Sequence, residues 1–510
     1  MAGPGVNWLD RAIGFVAPGV GAARIEARAR MARGAVIRNA YDAASRGRRT
    51  DGWRAVSTDA NAETYAANGR LRDVVRDLVR NNAWAARAKS VIANNAVGSG
   101  IVLAVTGKTP ARKAKVKQLL TDHLESTAID ADGRLNIYGL QNLAMATIVE
   151  AGEVLIRRRV RRAEDGLVLP LQLQLLEPDF LDTNVDGVLP GGNYAVQGVE
   201  FDLRGQRVAY YLFDQHPGSM QRRGSFRGTR VSADYVAHIY RVDRPGQVRG
   251  VTWYAPIIPR LHDLADLSDA QILKQKIAAC FAGYIKDNGL GGDYSGAASG
   301  QGDQADGGGY PIENLEPGII ERLGYGEDIT FTNPPSTQDF GPYAQLTLRE
   351  IAVGMNIPYE AMTGDLSSVN FSSGRMGWLE FQRAIESWRW NMLMPGMMQP
   401  ILRWADEAIR VVTMSTEPYR VDCTPPRREM IDPDSEIKSA TSAIRAGLSS
   451  RSNEIRKLGY EPDAIDAEIA ADNARADTLA LVLDSDPRKT SGAGMMQASA
   501  GAVPPPVNPQ

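Results

Sequence analysis

Apolar positions change their period several times along the chain, and each change marks an element. Leu71, Val74, Val75 and Leu78, then Trp84, Ala88, Val91 and Ile92, recur at three- and four-residue steps and stop at Gly98 and Gly100. That spacing puts side chains on one helix face, so a single amphipathic helix is predicted over them. Between Ile101 and Tyr254 the pattern becomes mixed. Val154-Leu155-Ile156, Leu169 to Leu176, Val208 to Phe213 and Val236 to Tyr240 are short apolar runs punctuated by Gly and Pro, which predicts strands within an α/β or α+β domain. Helical spacing returns over Ile257 to Lys286, with Leu261 and Leu264 on one stripe and Leu273, Ile277, Cys280 and Tyr284 on another. Such a helix would span about 45 Å.

Residues 289–309 then hold nine glycines, too flexible and polar a composition for a packed element. The next segment, Tyr310 to Pro335, carries Ile319-Ile320 and Ile329 to Phe331 between Pro-Gly and Pro-Pro punctuation and reads as a compact β insertion. A second helix follows, with Phe340, Ala344, Leu348, Ile351 and Met355 in helical register. After a loop rich in Gly and Ser, Thr363 to Ser373, a third long helix carries Trp378, Phe381, Ile385, Trp388 and Met392. Pro395 and Pro400 are expected to bend or break it, because proline removes a ladder donor and crowds the preceding turn.

Length and composition narrow the class. At 510 residues, with 43% apolar and 23% charged positions, the chain has the make-up of a folded protein of several domains. Lys and Arg total 58 against 60 for Asp and Glu, a net charge of -2, so any preference for nucleic acid must be local. Charge is nevertheless sorted. Residues 1–50 hold nine arginines and three acids, whereas 429–486 hold thirteen acids and six bases on an Ala-rich helical pattern. From 487 to 510 Ser, Gly, Ala and Pro dominate, a composition expected to stay unfolded. Two cysteines, Cys280 and Cys423, cannot build a disulfide framework and suit a reducing compartment. Neither a signal-peptide run nor an apolar stretch of spanning length is present, so a cytoplasmic protein without a membrane segment is expected.

Candidate chemistry is sparse. Gly107-Lys108-Thr109 ends like a phosphate loop, but position 102, where that motif needs glycine, is Val. His123, His216, His238 and His262 are scattered, without metal-ligand spacing. His262, Asp263 and Asp266 fit the solvated face of a long helix better than an acid–base pair. No nucleophile elbow surrounds the serines at 367–373. The expectation is therefore no catalytic residue, no metal and no cofactor. Arg157, Arg158, Arg159, Arg161 and Arg162 fall within six residues. Guanidinium groups pair bidentately with phosphate, yet Glu164 and Asp165 follow at once, so phosphate contacts and local or intersubunit salt bridges both remain open. Trp378, Trp388, Trp390 and Trp404 have helical spacing that places them mostly in a core rather than against bases.

More specific residues then line up in order. Tyr41-Asp42-Ala43-Ala44, Arg48-Arg49-Thr50, Gly52-Trp53, Asp59-Ala60-Asn61 and Asp77-Leu78-Val79-Arg80-Asn81-Asn82 come first. Leu176-Glu177-Pro178-Asp179, Gly198-Val199-Glu200-Phe201-Asp202, Arg244 to Val251 and Gln275 to Cys280 follow. The clearest block is Ile357-Pro358-Tyr359, Thr363-Gly364-Asp365-Leu366-Ser367, Asn370-Phe371-Ser372-Ser373 and Arg375. Over roughly residues 35–480 this order resembles the portal proteins of tailed bacteriophages, of the lambda type. The glycine-rich stretch and the tail depart from the pattern.

The resemblance implies an α/β (α+β) portal fold. It would comprise a basic N-terminal arm (1–39), a wing (40–255), a first stem helix (256–287) and a clip (288–337). A second stem helix (338–356), a tunnel loop (357–373), a long kinked helix returning to the wing (374–428), an acidic helical crown (429–486) and a mobile tail (487–510) would follow. It implies a homo-oligomeric, dodecameric ring at one capsid vertex, assembled in the host cytoplasm, through which double-stranded DNA passes without sequence specificity. Implied partners are the terminase large subunit, a head-completion or adaptor protein, and the major capsid protein with its scaffold. Tunnel-loop residues would be Thr363, Gly364, Asp365, Leu366, Ser367, Ser368, Val369, Asn370, Phe371, Ser372 and Ser373. Their short polar groups can touch a duplex without the salt-dependent grip of Lys or Arg. Motor docking would use Glu313, Glu316, Glu321, Arg322, Glu327 and Asp328. Leu261, Leu273, Ile277, Phe340 and Leu348 give the stem helices more apolar surface than one partner helix covers, and are expected at the ring contact. A head-completion adaptor ring is a second reading, and a metal-dependent packaging nuclease a third.

Overall fold

The computed structural model describes residues 56–107, 109–220, 227–279, 283–287, 327–331, 340–367, 369–426 and 432–481, with isolated positions elsewhere. The chain divides into two units, Met1–Asp59 and Ala60–Gln510. Most of the basic arm, the glycine-rich stretch 289–309, Cys280 and the tail 487–510 lie outside the described residues.

The second unit opens with helices α1 (Ala60–Tyr65), α2 (Asn68–Asn81) and α3 (Ala83–Val97). The single helix expected over residues 71–92 is therefore two. Asn82 stands between them with extended backbone, φ -115° and ψ 118°, and its side chain accepts hydrogen bonds from the backbone N–H groups of Trp84 and Ala85. An asparagine that satisfies orphan donors in this way caps a new helix even where the apolar period runs on. Strand β1 (Val102–Gly107), helix α4 (Pro110–Leu124) and helix α5 (Ile137–Ala151) follow, then strands β2 (Glu153–Val160) and β3 (Leu171–Leu176). Between α5 and β2, Gly152 takes φ +91°, and a Cβ there would lie 2.4 Å from the Val251 carbonyl carbon. Only glycine allows the Val251–Thr252 backbone to approach so closely.

Short strands β4 (Gly187–Val188), β5 (Tyr194–Val196), β6 (Val199–Phe201), β7 (Arg207–Leu212) and β8 (Thr229–Ser232) form a five-stranded antiparallel meander. Strand β9 (Val236–Tyr240) instead joins a second sheet of order β3-β2-β9, antiparallel throughout. Alternation along β2 divides two cores. Val154 and Ile156 face the larger, helix-lined one, while Leu155 faces a smaller one with Val199, Tyr210, Leu212 and Val231 of the meander.

Helix α6 (Ile258–Ala279) is shorter than the helix predicted to reach Lys286, for Gly283–Asp287 forms strand β10, antiparallel to β11 (Glu327–Phe331). The run Gly283-Tyr284-Ile285 is glycine-led and β-branched, a composition that pairs as readily as it coils. Helices α7 (Phe340–Gly354), α8 (Tyr359–Thr363) and α9 (Phe371–Trp388) follow. The bend expected at Pro395 appears as a π-helical segment, Arg389–Met398, that contains this proline and runs into α10 (Gln399–Thr413). Trp388 and Trp404 are buried and Trp378 packs against the core, but Trp390 is exposed, its indole N–H on Glu386. Arg389 fills a different need. It is buried, and its guanidinium donates to the Asn95 and Ala96 carbonyls at the end of α3, satisfying helix-terminal acceptors. Strand β12 (Tyr419–Thr424) pairs with β1, and helices α11 (Pro433–Arg445), α12 (Arg451–Lys457) and α13 (Pro462–Thr478) end the described chain.

Candidate functional site

The candidate site is the pair α6 and α7 with the segment after them. Leu261 and Leu264 of α6 and Leu348, Ile351, Ala352 and Met355 around α7 are buried in the large core. The helices come close at Gly354, where a Cβ would meet Ile257 Cγ2 at 2.2 Å. Arg260 and Glu350 bridge them at 3.3 Å. Leu261 and Leu348, expected at a subunit contact, are thus spent inside their own chain. Leu273 is 59% exposed and Phe340 half-buried. Ile277 lies in α6, with its side chain outside the described residues.

A different stripe is left open. Tyr343, Leu346 and Val353 are 50%, 55% and 79% exposed, and their steps of three and seven place them on one face of α7. Ile272 beside Leu273 adds apolar surface on α6.

After Asn356, in the left-handed region at φ +56°, α8 buries Met362 and closes at Gly364, φ +74°. The stretch beyond is held by its own polar groups. Asp365 Oδ1 accepts from the Ser367 N–H at 3.0 Å and from its hydroxyl at 2.6 Å, which holds the Asp365 carboxyl below its ordinary range. Asn370 caps α9 by accepting from the Ser373 N–H at 2.8 Å. The predicted loop 363–373 therefore begins inside α8, and Phe371, Ser372 and Ser373 already belong to α9; among the described residues the non-helical part is 364–367 with 369 and 370. Leu366 projects from it, 67% exposed. Ser368 and the Phe371 side chain lie outside the described residues.

Of the residues expected to dock the motor, Glu327 and Asp328 lie in β11 with side chains outside the described residues, and Glu313, Glu316, Glu321 and Arg322 lie outside them altogether. The five arginines separate. Arg158 pairs with Glu407 and lies over Tyr235, whereas Arg159 and Arg161 donate from Nε to Gln174 and Gln172 at 2.9 and 2.7 Å. Thr109, from the rejected phosphate loop, donates its hydroxyl to the Glu417 carboxylate, which would repel a phosphate. His262 and Asp266 are a solvated pair. One His–carboxylate cluster escaped sequence spacing: Glu177, Asp179 and His216 place ligand atoms within 4.8 Å of one another. Arg76 Nη2 already sits 2.8 Å from Glu177 and 2.5 Å from Asp179, occupying oxygens a cation would need. Burial would raise the Asp179 carboxyl, but the Arg76 hydrogen bond and the Arg72 and Arg76 charges hold it low. Cys423 is half-buried, and burial pushes its thiol up to about 11, so it is not a reactive thiolate.

Residues 46–389 match the family model for phage portal proteins of the lambda family. The chain belongs to that family. The chain is 26% identical over 456 residues to a probable portal protein of Halomonas phage phiHAP-1, covering 83% of each chain. It is 23% identical over 442 residues to portal protein B of Escherichia phage lambda, covering 77% of this chain and 81% of the relative. A solved structure of the virion of a native gene transfer agent particle aligns at 16% identity and a TM-score of 0.44, over 81% of this chain and 96% of that one. As a portal protein, this chain is a structural, non-catalytic subunit of a homo-oligomeric ring at the portal vertex of the capsid, with a role in DNA packaging and ejection. Among the described residues no helix is long and apolar enough to cross a membrane.

Proposed function

We propose that α6 and α7 form the stem that closes the ring, and that 364–370 faces the duplex passing through it. The observation that carries this reading is the stripe Tyr343, Leu346 and Val353, large apolar groups left to solvent on a helix whose opposite face is buried. Such surface is stabilised when a second copy covers it, and a repeated heterologous contact closes a ring. Segment 364–370 suits a sliding contact because Asp365 is engaged by Ser367 and Asn370 by the Ser373 N–H, and because the segment carries no Lys or Arg to grip phosphate.

The β10–β11 hairpin and the chain between its strands form the clip, which docks the terminase large subunit and then the adaptor through Glu313, Glu316, Glu321, Glu327 and Asp328. The family resemblance supports the motor, adaptor, capsid and scaffold partners and a dodecameric ring. Replacing Leu346→Asp should abolish ring assembly while the isolated chain keeps its melting temperature to within about 2 °C, as expected for an exposed position. Full-size rings from this variant, sized by light scattering, would remove the stripe from the contact.

A further inference from the structure

We propose that Arg157, Arg159 and Arg161 form a docking row for an extended acidic segment of a partner protein, with carboxylates at alternate residues. The five arginines are divided by the pleat of β2. Arg158 points to the opposite face, where Glu407 and the Tyr235 ring engage it within the chain. Arg157 and Arg159 share the other face, and Arg161 continues the row where its backbone N–H still reaches the Pro170 carbonyl. Alternate strand residues repeat at about 6.6 Å, so the backbone presents the three arginines at a regular spacing along one face.

What holds the row is neutral. Gln174, paired with Arg157 across the strands, accepts from Arg159 Nε at 2.9 Å. Gln172, paired with Arg159, accepts from Arg161 Nε at 2.7 Å. Gln172 is itself anchored, its amide nitrogen donating to the Ala128 and Asp130 carbonyls at 2.9 and 3.1 Å. The glutamines thus orient two guanidinium groups through Nε and leave their Nη donors and their charge uncancelled. Burial and then the neighbouring Arg159 lower the proton affinity of Arg157; burial and then Arg161 do the same for Arg159; Asp214 opposes both. Neighbouring guanidiniums in the row thus repel one another, and an added anion relieves this repulsion.

The regular repeat favours a peptide over a duplex. An extended chain presents alternate side chains at the spacing of the arginine row, whereas duplex phosphates follow a helical path and turn away from a flat sheet face. Partly buried guanidiniums fixed by glutamine also suit bidentate carboxylate pairing.

The test is fluorescence anisotropy with the full chain and three labelled probes: a peptide alternating Glu and Ser, the same peptide with Gln for Glu, and a short duplex DNA. Arg157→Gln, Arg159→Gln and Arg161→Gln together should weaken the Glu peptide at least about tenfold. The Gln peptide should bind neither protein, and duplex affinity should change less than about twofold. If the triple variant misfolds, Arg159→Gln alone should weaken the Glu peptide about threefold, with Arg162→Gln as the unaffected control. Unchanged peptide affinity overturns the proposal. A loss of duplex affinity equal to that of the peptide overturns it in favour of a phosphate site.

Discussion

Among the ionic junctions that join distant parts of this chain, two differ most in their exposure to water, one dry and one wetter. In the dry one, fully buried Glu153 accepts from Arg249 Nη2 at 2.6 Å, from the Gly250 N–H at 2.8 Å and contacts His238 Nε2 at 2.8 Å. It ties the first residue of β2 to β9 and to the loop before α6. In the wetter one, Lys113 and Lys117 of α4 meet Asp463 and Glu461 at the start of α13, at 2.6 and 3.0 Å; the Glu461 side chain is 13% exposed, but those of Lys113, Lys117 and Asp463 are 28%, 47% and 64% exposed, and the chain beyond buries only Pro462 and Ala476 in that helix. Charges out of water must be fully satisfied or they unfold the site, whereas charges in water cost little to separate. The junction of β2 with the Arg249–Gly250 loop is thus built to be permanent, and the acidic C-terminal helices are held by contacts that salt can loosen.

Breaking the dry junction should have the largest effect. Glu153→Gln leaves the Arg249 charge buried without its anion and should cost about 3–5 kcal/mol in denaturant unfolding. Glu153→Leu combined with Arg249→Met should cost less than that single change, because removing both charges also removes the desolvation penalty.

Acid probes the same junction more gently. Burial would raise the Glu153 carboxyl, but the Arg249 charge and the His238 contacts outweigh it and hold it well below the usual range. Burial lowers the proton affinity of His238. Unfolded histidine takes up a proton near about pH 6.5 while buried His238 stays neutral, so stability should begin to fall below that value. A steeper loss should follow below about pH 4.5, where unfolded carboxylates bind protons that Glu153 and Asp179 resist. Thermal melts from pH 8 to 4 would check this; a melting temperature that rises on acidification would contradict it.

The wetter junction should yield the smallest effect. Lys113→Ala with Lys117→Ala should change unfolding free energy by about 1 kcal/mol or less, and the difference should vanish in molar salt. Limited proteolysis is the sharper readout, since cleavage within α11 to α13, residues 433–478, should speed up in the double variant.

The sequence displayed some of this and hid the rest for identifiable reasons. The strands at 154–156, 208–212 and 236–240 were legible because compact apolar runs between breakers have few other uses. The helix break at Asn82 was not, since the apolar period continues across it and only the side-chain cap interrupts the ladder. Periodicity found α7 but could not say which of two apolar faces is covered: Leu348 and Ile351 turned inward, Tyr343, Leu346 and Val353 outward. Glu153 and Arg249 are 96 residues apart, a separation at which spacing carries no signal. The arginine row emerged only with the β2–β3 register, which sets Gln172 and Gln174 beside alternate arginines.

The central claim is that identical copies of this chain close into a ring around a channel. Negative-stain imaging of the purified full-length protein tests it most directly. Uniform closed rings with a stain-filled central hole are expected. Discrete monomers that persist at high protein concentration would contradict it.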